Sequence, residues 1–303
     1  IRHFWLSTHF TFIFTKMQDV KLIECPRDAM QGIKDWIPTG QKVQYIQSLL
    51  SCGFDTIDFG SFVSPKAIPQ MVDTAKVLSE LDMSGTQTKL LAIVANVRGA
   101  QAAASHPEIT YLGYPFSISE NFQMRNTHKT IAESIATLSE ILALAAASNK
   151  QVVTYLSMGF GNPYGDPWSL DIVGQWAQKL SQMGVTILSL SDTVGSSTPE
   201  TISYLFSNLI PKYPNIEFGA HLHTTPSAWH EKVDAAYKAG CRRFDGSIQG
   251  FGGCPMAKDE LTGNMPTEKM LSYFTSQKAK TNIRTMSFES AHNKASDIFN
   301  NFY

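Results

Sequence analysis

Two histidines one residue apart, His221 and His223, end an apolar stretch at positions 218–223. Side chains alternate between the two faces of a β-strand, so both imidazoles are expected to project to the same side. Burying two adjacent imidazoles is unfavourable unless a partner uses their lone pairs or protons, and a divalent metal ion is such a partner. A hydrogen-bonded pair at a strand end explains the same two residues, so the other polar residues must decide.

Polar side chains also follow other predicted strands. Each one alone is explained as a loop residue or a strand cap, but their common position at the carboxyl ends of strands favours a single reactive site. They are Arg27 and Asp28 at the end of the first strand, Asp58 inside the second, Asp192 at the end of the sixth, and Asn264 beyond the eighth.

Four of these side chains offer two oxygen and two nitrogen ligands to one metal ion: Asp28, His221, His223 and Asn264. The mixed set suits Mg²⁺ or Mn²⁺ and is compatible with Zn²⁺ or Co²⁺, with further positions left for water or substrate. The chain has no thiolate cluster, so a closed structural zinc site is not expected. Open, oxygen-rich coordination is typical of a Lewis acid that binds two substrate oxygens.

Two further residues have chemical and structural interpretations. Arg27 beside such an ion would stabilise a developing enolate oxygen, and an ion pair with Asp58 is an alternative that is compatible with that role. Cys254 lies in a glycine-rich loop over 249–255, where glycines allow positive φ and a lid-like motion. Its thiol is a candidate proton donor or acceptor. A small residue in a tight turn is the equally weighted alternative.

The elements that must position these residues alternate regularly. Eight apolar runs are each followed by a helical pattern, and no Pro/Ser-rich linker divides the chain. This pattern predicts an α/β fold, a closed (β/α)8 TIM barrel, with an open doubly wound sheet as the alternative. The predicted strands are 20–25, 55–59, 89–95, 109–114, 151–158, 186–190, 216–223 and 243–247.

Helical spacing of apolar residues predicts the intervening helices. They cover 39–52, 68–81, a short stretch after position 98, 127–148, 168–183, 199–210, 228–239 and 267–275, with an appended helix over 283–303. Residues 1–16 are rich in aromatic and β-branched types and lack a helical period. We expect them to form a non-native or disordered extension, and residues 17–303 to form one domain.

Composition excludes several classes of function. The 303 residues are 43% hydrophobic with a net charge of -1, and the mixed charges argue against a nucleic-acid surface. The sequence has no apolar run of about 18 residues, so no membrane segment is expected. The four cysteines (Cys25, Cys52, Cys241 and Cys254) show no CxxC spacing, which favours a reduced, cytoplasmic enzyme over a disulfide scaffold.

Five short motifs resemble one enzyme family. They are Pro-Arg-Asp at 26–28, Ser-Phe-Val-Ser-Pro-Lys at 61–66, Ser-Asp-Thr-Val-Gly at 191–195, His-Leu-His at 221–223 and Gly-Gly-Cys-Pro at 252–255. With Asn264, they make positions 20–275 similar to 3-hydroxy-3-methylglutaryl-CoA (HMG-CoA) lyases. These belong to the aldolase-type TIM-barrel metallolyases, which include isopropylmalate and homocitrate synthases.

The resemblance implies retro-Claisen cleavage of HMG-CoA to acetoacetate and acetyl-CoA, a step of leucine degradation and ketone-body formation. It implies an acyl-CoA substrate, a divalent metal, most readily Mg²⁺ or Mn²⁺, and a homodimer. The implied metal ligands are Asp28, His221, His223 and Asn264. The implied catalytic residues are Arg27, Asp58, Asp192, His221 and Cys254, and the implied substrate-binding residues are Arg27, Ser61 and Lys66.

Several positions depart from the family pattern. Asp58 replaces a glutamate, positions 29–33 lack a glutamate that the family usually has, and Thr224 stands where an acidic or amide residue is usual. These changes leave the metal ligands intact but bear on the substrate. The alternatives are a related acyl-CoA lyase, a Claisen-type synthase acting on another 2-oxo or 3-hydroxy acid, and a non-catalytic acyl-CoA-binding homologue.

Overall fold

The computed structural model describes residues 19–253 and 262–302 of the chain. Eight parallel strands close into a barrel in chain order, because the last strand pairs with the first. This architecture confirms the predicted (β/α)8 TIM barrel. The strands are β1 (Lys21–Glu24), β2 (Thr56–Ser61), β3 (Lys89–Ile93), β4 (Ile109–Ser117), β5 (Gln151–Ser157), β6 (Ile187–Asp192), β7 (Glu217–Leu222) and β8 (Arg243–Gly246).

Helices follow the strands and cover the outside of the barrel. Most predicted bounds agree with the observed ones to within about two residues. The helices are α1 (Pro26–Met30), α2 (Thr39–Leu50), α3 (Thr74–Ser79), α4 (Val97–Ala104), α5 (Glu120–Thr127), α6 (Ile131–Ala147), α7 (Leu170–Gln182), α8 (Pro199–Lys212), α9 (Trp229–Lys238), α10 (Thr267–Ser276) and α11 (Thr285–Phe302).

The helix predicted over 127–148 is present as α6, but it begins at Ile131 because the chain turns just before it. The helix α5 ends at Thr127, and His128 follows in the left-handed region with φ of 55°. Thr130 then begins α6 through a capping box, in which its hydroxyl and the Glu133 carboxylate each bind the other residue's backbone N–H. The turn separates a short helix from the long one.

The structure differs from two other predictions near the carboxyl ends of the strands. The expected helix over 68–81 divides into a 3₁₀ turn at Pro69–Met71 and the helix α3. Arg27 and Asp28 lie in α1 rather than at the end of the first strand. Pro26 starts that helix, since its fixed φ and missing N–H suit the first helical turn.

Apolar side chains form two layers, one on each face of the sheet. A large cluster fills the space between strands and helices, as expected for a parallel sheet covered on its outer face. The barrel interior holds a smaller cluster made of Leu91, Ile93, Tyr111, Val153, Tyr155 and Ile187. Arg243 and Asp245, two residues apart on β8, are also buried. The interior therefore mixes apolar filling with buried charge.

Residues 1–18, 254–261 and 303 lie outside the described part of the chain. The extension at 1–16 and the single domain over 17–303 therefore stay predictions. Among the described helices, none is by itself long and apolar enough to cross a membrane. Only the helices α5 and α6 taken together, which meet at an angle of 60°, satisfy that criterion.

Candidate active site and metal centre

The carboxyl-terminal mouth of the barrel brings together side chains that are distant in sequence. Asp28 is carried by α1 directly after β1, and His221 lies on β7. His223 follows β7, and Thr224 beside it forms two backbone hydrogen bonds with Gly263, of 2.9 and 3.0 Å. This pairing positions Asn264 at the same mouth.

Three of the four predicted metal ligands offer atoms close enough together to hold one ion, and the fourth, Asn264, contacts one of them. One ligand atom each from Asp28, His221 and His223 lies within 4.8 Å of the other two. The amide of Asn264 donates a hydrogen bond of 2.7 Å from Nδ2 to Oδ2 of Asp28. Burial raises the pKa of Asp28, but the charges of Arg27 and the two histidines outweigh burial and lower it. The carboxylate is therefore ionised, as a metal ligand must be.

His223 is prepared to offer a lone pair. Its Nδ1 donates to the carbonyl oxygen of Thr193 at 3.1 Å, which leaves Nε2 unprotonated in the neutral ring. Burial and the neighbouring His221 lower its pKa to about 4. The buried Nε2 has no hydrogen-bond partner among the described residues. A metal ion satisfies such an atom, so the residues present fit the implied group.

His221 is oriented by a carboxylate that the sequence did not single out. Its Nδ1 lies 3.2 Å from Oδ2 of Asp245 on β8. Burial disfavours the charged imidazole, but the hydrogen bond and charge of Asp245 outweigh burial and raise the pKa of His221. The ring of Tyr155 meets the imidazole edge to face, with centroids 5.5 Å apart. Metal-binding histidines commonly donate their other N–H to a carboxylate in this way.

Arg27 joins two carboxylates into one network. Its Nη2 donates to Oδ2 of Asp58 at 2.5 Å, and its Nη1 donates to Oδ1 of Asp28 at 2.9 Å and to Gln31 at 2.8 Å. Burial opposes its charge, but these carboxylates outweigh burial and raise the pKa of Arg27. Burial also raises the pKa of Asp58 to about 6 against the charge of Arg27, so the pair is ionised at neutral pH. The ion pair proposed from the sequence is present.

Asp192 is held in a structural network behind the histidines. Its Oδ2 accepts hydrogen bonds from the Ser197 backbone at 3.0 Å and from the Lys232 ammonium at 2.9 Å. The same ammonium donates to the carbonyl oxygen of His223 at 2.8 Å. These contacts fix the backbone under the ligand group. The catalytic role of Asp192 stays a prediction.

Two of the predicted substrate-binding residues lie at the end of β2 and in the loop that follows it. Ser61 is buried, and its hydroxyl donates to the carbonyl oxygen of Ile93 at 3.3 Å. Lys66 is exposed in the following loop. The structure brings neither side chain into the ligand group, and their binding roles stay predictions.

Cys254 lies outside the described residues, so its predicted role stays a prediction. The glycines before it are described. Gly252 has φ of 83°, and a Cβ atom there would lie 2.6 Å from the carbonyl oxygen of Asp28 and 2.9 Å from Nδ2 of Asn264. Only glycine allows this close approach of the loop to the ligand group.

Glu24 is a second buried acid that the sequence interpretation missed. Its two oxygens accept hydrogen bonds from the Ile248 backbone N–H at 2.8 Å and from the Thr267 hydroxyl at 2.7 Å. Burial raises its pKa to about 8. A charged residue inside the apolar run 20–25 was the available signal. Asp245 is likewise a charged residue inside a predicted strand, the eighth, which could have indicated a buried acid.

The closed barrel and the polar cluster at its carboxyl-terminal mouth define a TIM-barrel enzyme with a candidate metal site. The sequence model of the family described as HMGL-like matches residues 19–294. The chain belongs to this family. The similar proteins described next are named as lyases.

Two curated relatives cover most of the chain. Mitochondrial hydroxymethylglutaryl-CoA lyase of Bos taurus is 34% identical over 258 residues, which cover 84% of this chain and 78% of the relative. Hydroxymethylglutaryl-CoA lyase of Bacillus subtilis is 31% identical over 259 residues, covering 86% of each. The resemblance inferred from the five motifs is confirmed by these matches.

Solved structures agree with the sequence comparison. HMG-CoA lyase from Brucella melitensis superposes with a TM-score of 0.86 at 29% identity, covering 93% of this chain and 99% of that one. An HMG-CoA lyase from A. baumannii, in complex with coenzyme A and 3-methylmalate, gives 0.84 at 28% identity and covers 92% and 90%. The carboxyl transferase domain of Rhizobium etli pyruvate carboxylase gives 0.72 at 14% identity, which shows the shared fold alone.

Proposed function

We propose that this chain cleaves HMG-CoA to acetoacetate and acetyl-CoA with the help of a divalent metal ion. One observation carries the proposal: the buried Nε2 of His223 lacks a hydrogen-bond partner in the described chain and lies with Asp28 and His221. The relatives named HMG-CoA lyases support the choice of substrate.

Asp28, His221, His223 and Asn264 would hold the ion. When bound, Mg²⁺ or Mn²⁺ supplies Lewis-acid polarisation of substrate oxygens, and Zn²⁺ or Co²⁺ is compatible with the same donors. Asp245 fixes the ring orientation of His221, and the Thr193 carbonyl fixes that of His223. The donors are thus oriented before an ion arrives.

Cleavage needs a base for the C3 hydroxyl proton and a cation for the electrons of the C2–C3 bond. As that bond breaks, the electron pair moves to the thioester carbonyl oxygen and forms the enolate of acetyl-CoA. Arg27 is held by Asp58 and Asp28, so its charge is positioned for this oxygen. Asp58 is the candidate base because its pKa of about 6 lies close to neutral pH. A proton must then be delivered to C2 of the enolate to give acetyl-CoA, and Asp192 and Cys254 are the further candidates for this transfer. Ser61 and Lys66 are the candidates for substrate binding.

The test uses the purified chain stripped with a chelator and then supplied with one metal at a time. We expect acetyl-CoA and acetoacetate to form from HMG-CoA with Mg²⁺ or Mn²⁺, and neither product with chelator present. His223→Ala should lose both metal binding and turnover. His230→Ala, at an exposed histidine outside the ligand group, should keep both.

A second candidate is a related acyl-CoA lyase or a Claisen-type synthase acting on another 2-oxo or 3-hydroxy acid. Asp58 favours it, because an aspartate shorter than the glutamate of the family pattern changes the site next to Arg27. If the metal-loaded chain does not cleave HMG-CoA, the assigned substrate is wrong. Turnover of another acyl thioester would then identify the second candidate, and acyl-CoA binding without any turnover would indicate a non-catalytic homologue.

We also infer a homodimer and a cytoplasmic location, with a role in leucine degradation and ketone-body formation. Three free, buried cysteines, Cys25, Cys52 and Cys241, support a reducing compartment. Light scattering of the purified chain tests the dimer, because a monomer mass at micromolar concentration contradicts it.

A further inference from the structure

The last helix of the chain, α11, lies outside the eight strand–helix units and packs against α2. At its start, the N–H of Arg284 donates to the carbonyl oxygen of Cys52 at 2.8 Å, and the Phe288 ring meets the Phe54 ring with centroids 6.2 Å apart. Cys52 and Phe54 precede β2, so this end of α11 lies near the amino-terminal mouth, where the strands begin. Its other end contacts the loop after β8, at the carboxyl-terminal mouth.

Two side chains near the end of α11 hold the loop that follows β8. The ring of Phe299 stacks on the ring of Phe251, with centroids 4.2 Å apart and planes inclined by 22°. The hydroxyl of Ser296 accepts a hydrogen bond from the side-chain amide of Gln249. Phe299 is 1% exposed and also meets the ring of Tyr45 at a right angle, so its own position is fixed by packing.

The backbone of this loop needs such support. Gln249 has φ of 62°, in the left-handed region that residues other than glycine seldom adopt. A conformation of this kind persists where surrounding contacts hold it, and it is common at functional sites. The backbone N–H of Gln249 donates to Oε2 of Glu268 at 2.9 Å, and its side chain binds α11. The residue is therefore held through its backbone and through its side chain.

The carbonyl oxygen of Phe251 connects the loop to the ligand group. It accepts a hydrogen bond of 2.9 Å from Nδ2 of Asn264, and the same Nδ2 donates to Oδ2 of Asp28 at 2.7 Å. Both N–H bonds of the amide are thus used. The amide oxygen is then the atom that Asn264 offers to a cation, and oxygen is the ligand that hard cations prefer. The position of Phe251 therefore sets the orientation of one predicted metal ligand.

We infer that the carboxyl-terminal half of α11 positions the metal site, with Phe299 and Ser296 as its positioning residues. Phe299 fixes Phe251, whose carbonyl oxygen orients Asn264. Ser296 fixes the left-handed Gln249, two residues earlier in the same loop. The inference rests on the proposed metal centre and goes beyond it, because it adds a helix outside the strand–helix units to the elements that determine metal affinity.

The test measures the Mn²⁺ affinity of the purified chain by calorimetry, without substrate and well below the melting temperature. Phe299→Leu keeps a buried apolar side chain but loses the ring stack. It should weaken Mn²⁺ binding by about threefold to tenfold, less than the roughly 10- to 100-fold loss that follows removal of a direct partner of a metal ligand. Phe288→Leu is the matched control, because it makes the same change against Phe54 near the other end of α11. It should lower the melting temperature and leave Mn²⁺ affinity unchanged.

A double variant tests the route through Phe251. Phe251→Leu and Phe299→Leu remove the same ring stack, so the two losses of Mn²⁺ affinity should not add when the substitutions are combined. Ser296→Ala removes the partner of Gln249 and should also weaken binding. It takes no ring out of the core, so it replaces the ring variants if they do not fold.

Unchanged Mn²⁺ affinity in the folded variants of α11 overturns the inference. Equal weakening in Phe288→Leu overturns it as well, because the loss then follows general destabilisation, and additive losses in the double variant overturn the route through Phe251. If the unmodified chain binds Mn²⁺ but does not cleave HMG-CoA, the assigned substrate is wrong, and the affinity comparison still decides the role of α11. No Mn²⁺ binding in the unmodified chain overturns both.

Discussion

Two buried arginines occupy opposite mouths of the same barrel, and their surroundings differ. Arg27 donates hydrogen bonds to Asp58, Asp28 and Gln31, whereas Arg243 donates none to the described residues. At the carboxyl-terminal mouth the protein itself neutralises and fixes the cation. At the amino-terminal mouth the carboxylates of Asp55 and Glu217 lie 3.8 Å from the cation and are not hydrogen-bonded to it. The first arrangement suits catalysis, since a fixed charge needs no reorganisation during reaction.

Glu24 shows a third way to bury an ionisable group. It is fully buried, and burial raises its pKa to about 8, so it is protonated at neutral pH. An acid can escape the unfavourable free energy of a buried charge by binding a proton. An arginine has no such option, because its pKa is too high. A buried arginine therefore keeps its charge where a buried acid can lose its own.

The largest effect is expected from the ligand group at the carboxyl-terminal mouth. His223→Ala removes the nitrogen that we assign to the metal, so kcat/KM for HMG-CoA should fall by about 10³-fold or more. Metal content after dialysis against Mn²⁺ should fall with it. His230→Ala is the control. Full activity of the His223 variant would show that this nitrogen is not needed for catalysis at the carboxyl-terminal mouth.

Matched substitutions of the two arginines should separate them by stability. Arg27→Met leaves the buried carboxylate of Asp58 without its partner and should lower the free energy of unfolding by about 3–5 kcal/mol. Arg243→Met removes a buried charge that lacks hydrogen bonds, so it should change stability by less than about 1 kcal/mol or increase it. Urea denaturation measures both.

Equal losses in the two variants would contradict the comparison. They would mean that the carboxylates 3.8 Å from Arg243 stabilise it as effectively as the direct hydrogen bonds stabilise Arg27.

Much of this architecture could be predicted from the sequence because its signals are local. The alternation of apolar runs and helical patterns gave eight units, and His221, His223, Arg27 and Asp28 directly follow or end strands. The turn at His128 was missed because a histidine in the left-handed region carries no glycine or proline signal.

The supporting residues could not be predicted because their partners are remote. Glu24 meets Ile248 and Thr267 only because closure of the barrel brings β1 beside β8. Asp245 reaches His221 because the consecutive strands β7 and β8 pair side by side. An arginine at the start of a strand is ordinary in a sequence, and only the folded chain shows that Arg243 is buried.

Glu24 should make stability depend on pH. Its pKa is about 8 in the folded chain against an ordinary value of 4.5, so the folded state keeps a proton that the unfolded state has released between these values. The free energy of unfolding therefore falls as pH rises from about 4.5 to 8. Glu24→Gln cannot ionise. Its amide oxygen accepts from the Ile248 N–H, and its amide NH2 donates to the Thr267 hydroxyl, so both contacts are kept with the second one reversed.

This variant should be more stable than the unmodified chain at pH 9, by on the order of 3 kcal/mol, and similar at pH 5. Urea denaturation at the two pH values measures the difference. Glu80→Gln, at an exposed position, is the matched control and should behave like the unmodified chain at both. A Glu24 variant that is less stable at pH 9 would show that this acid is buried in its charged form.

The smallest expected effect concerns the carboxylate behind His221. Asp245→Asn keeps a hydrogen-bond acceptor for Nδ1 but removes the charge, so Mn²⁺ affinity at pH 8 should fall by about tenfold. Because Asp245 raises the pKa of His221, its loss should also lower the pH at which protons displace the metal. A purely structural role would weaken binding without that shift. Asp171→Asn, exposed on α7, should change neither quantity, and an unchanged pH profile in the Asp245 variant would show that its charge does not tune the imidazole.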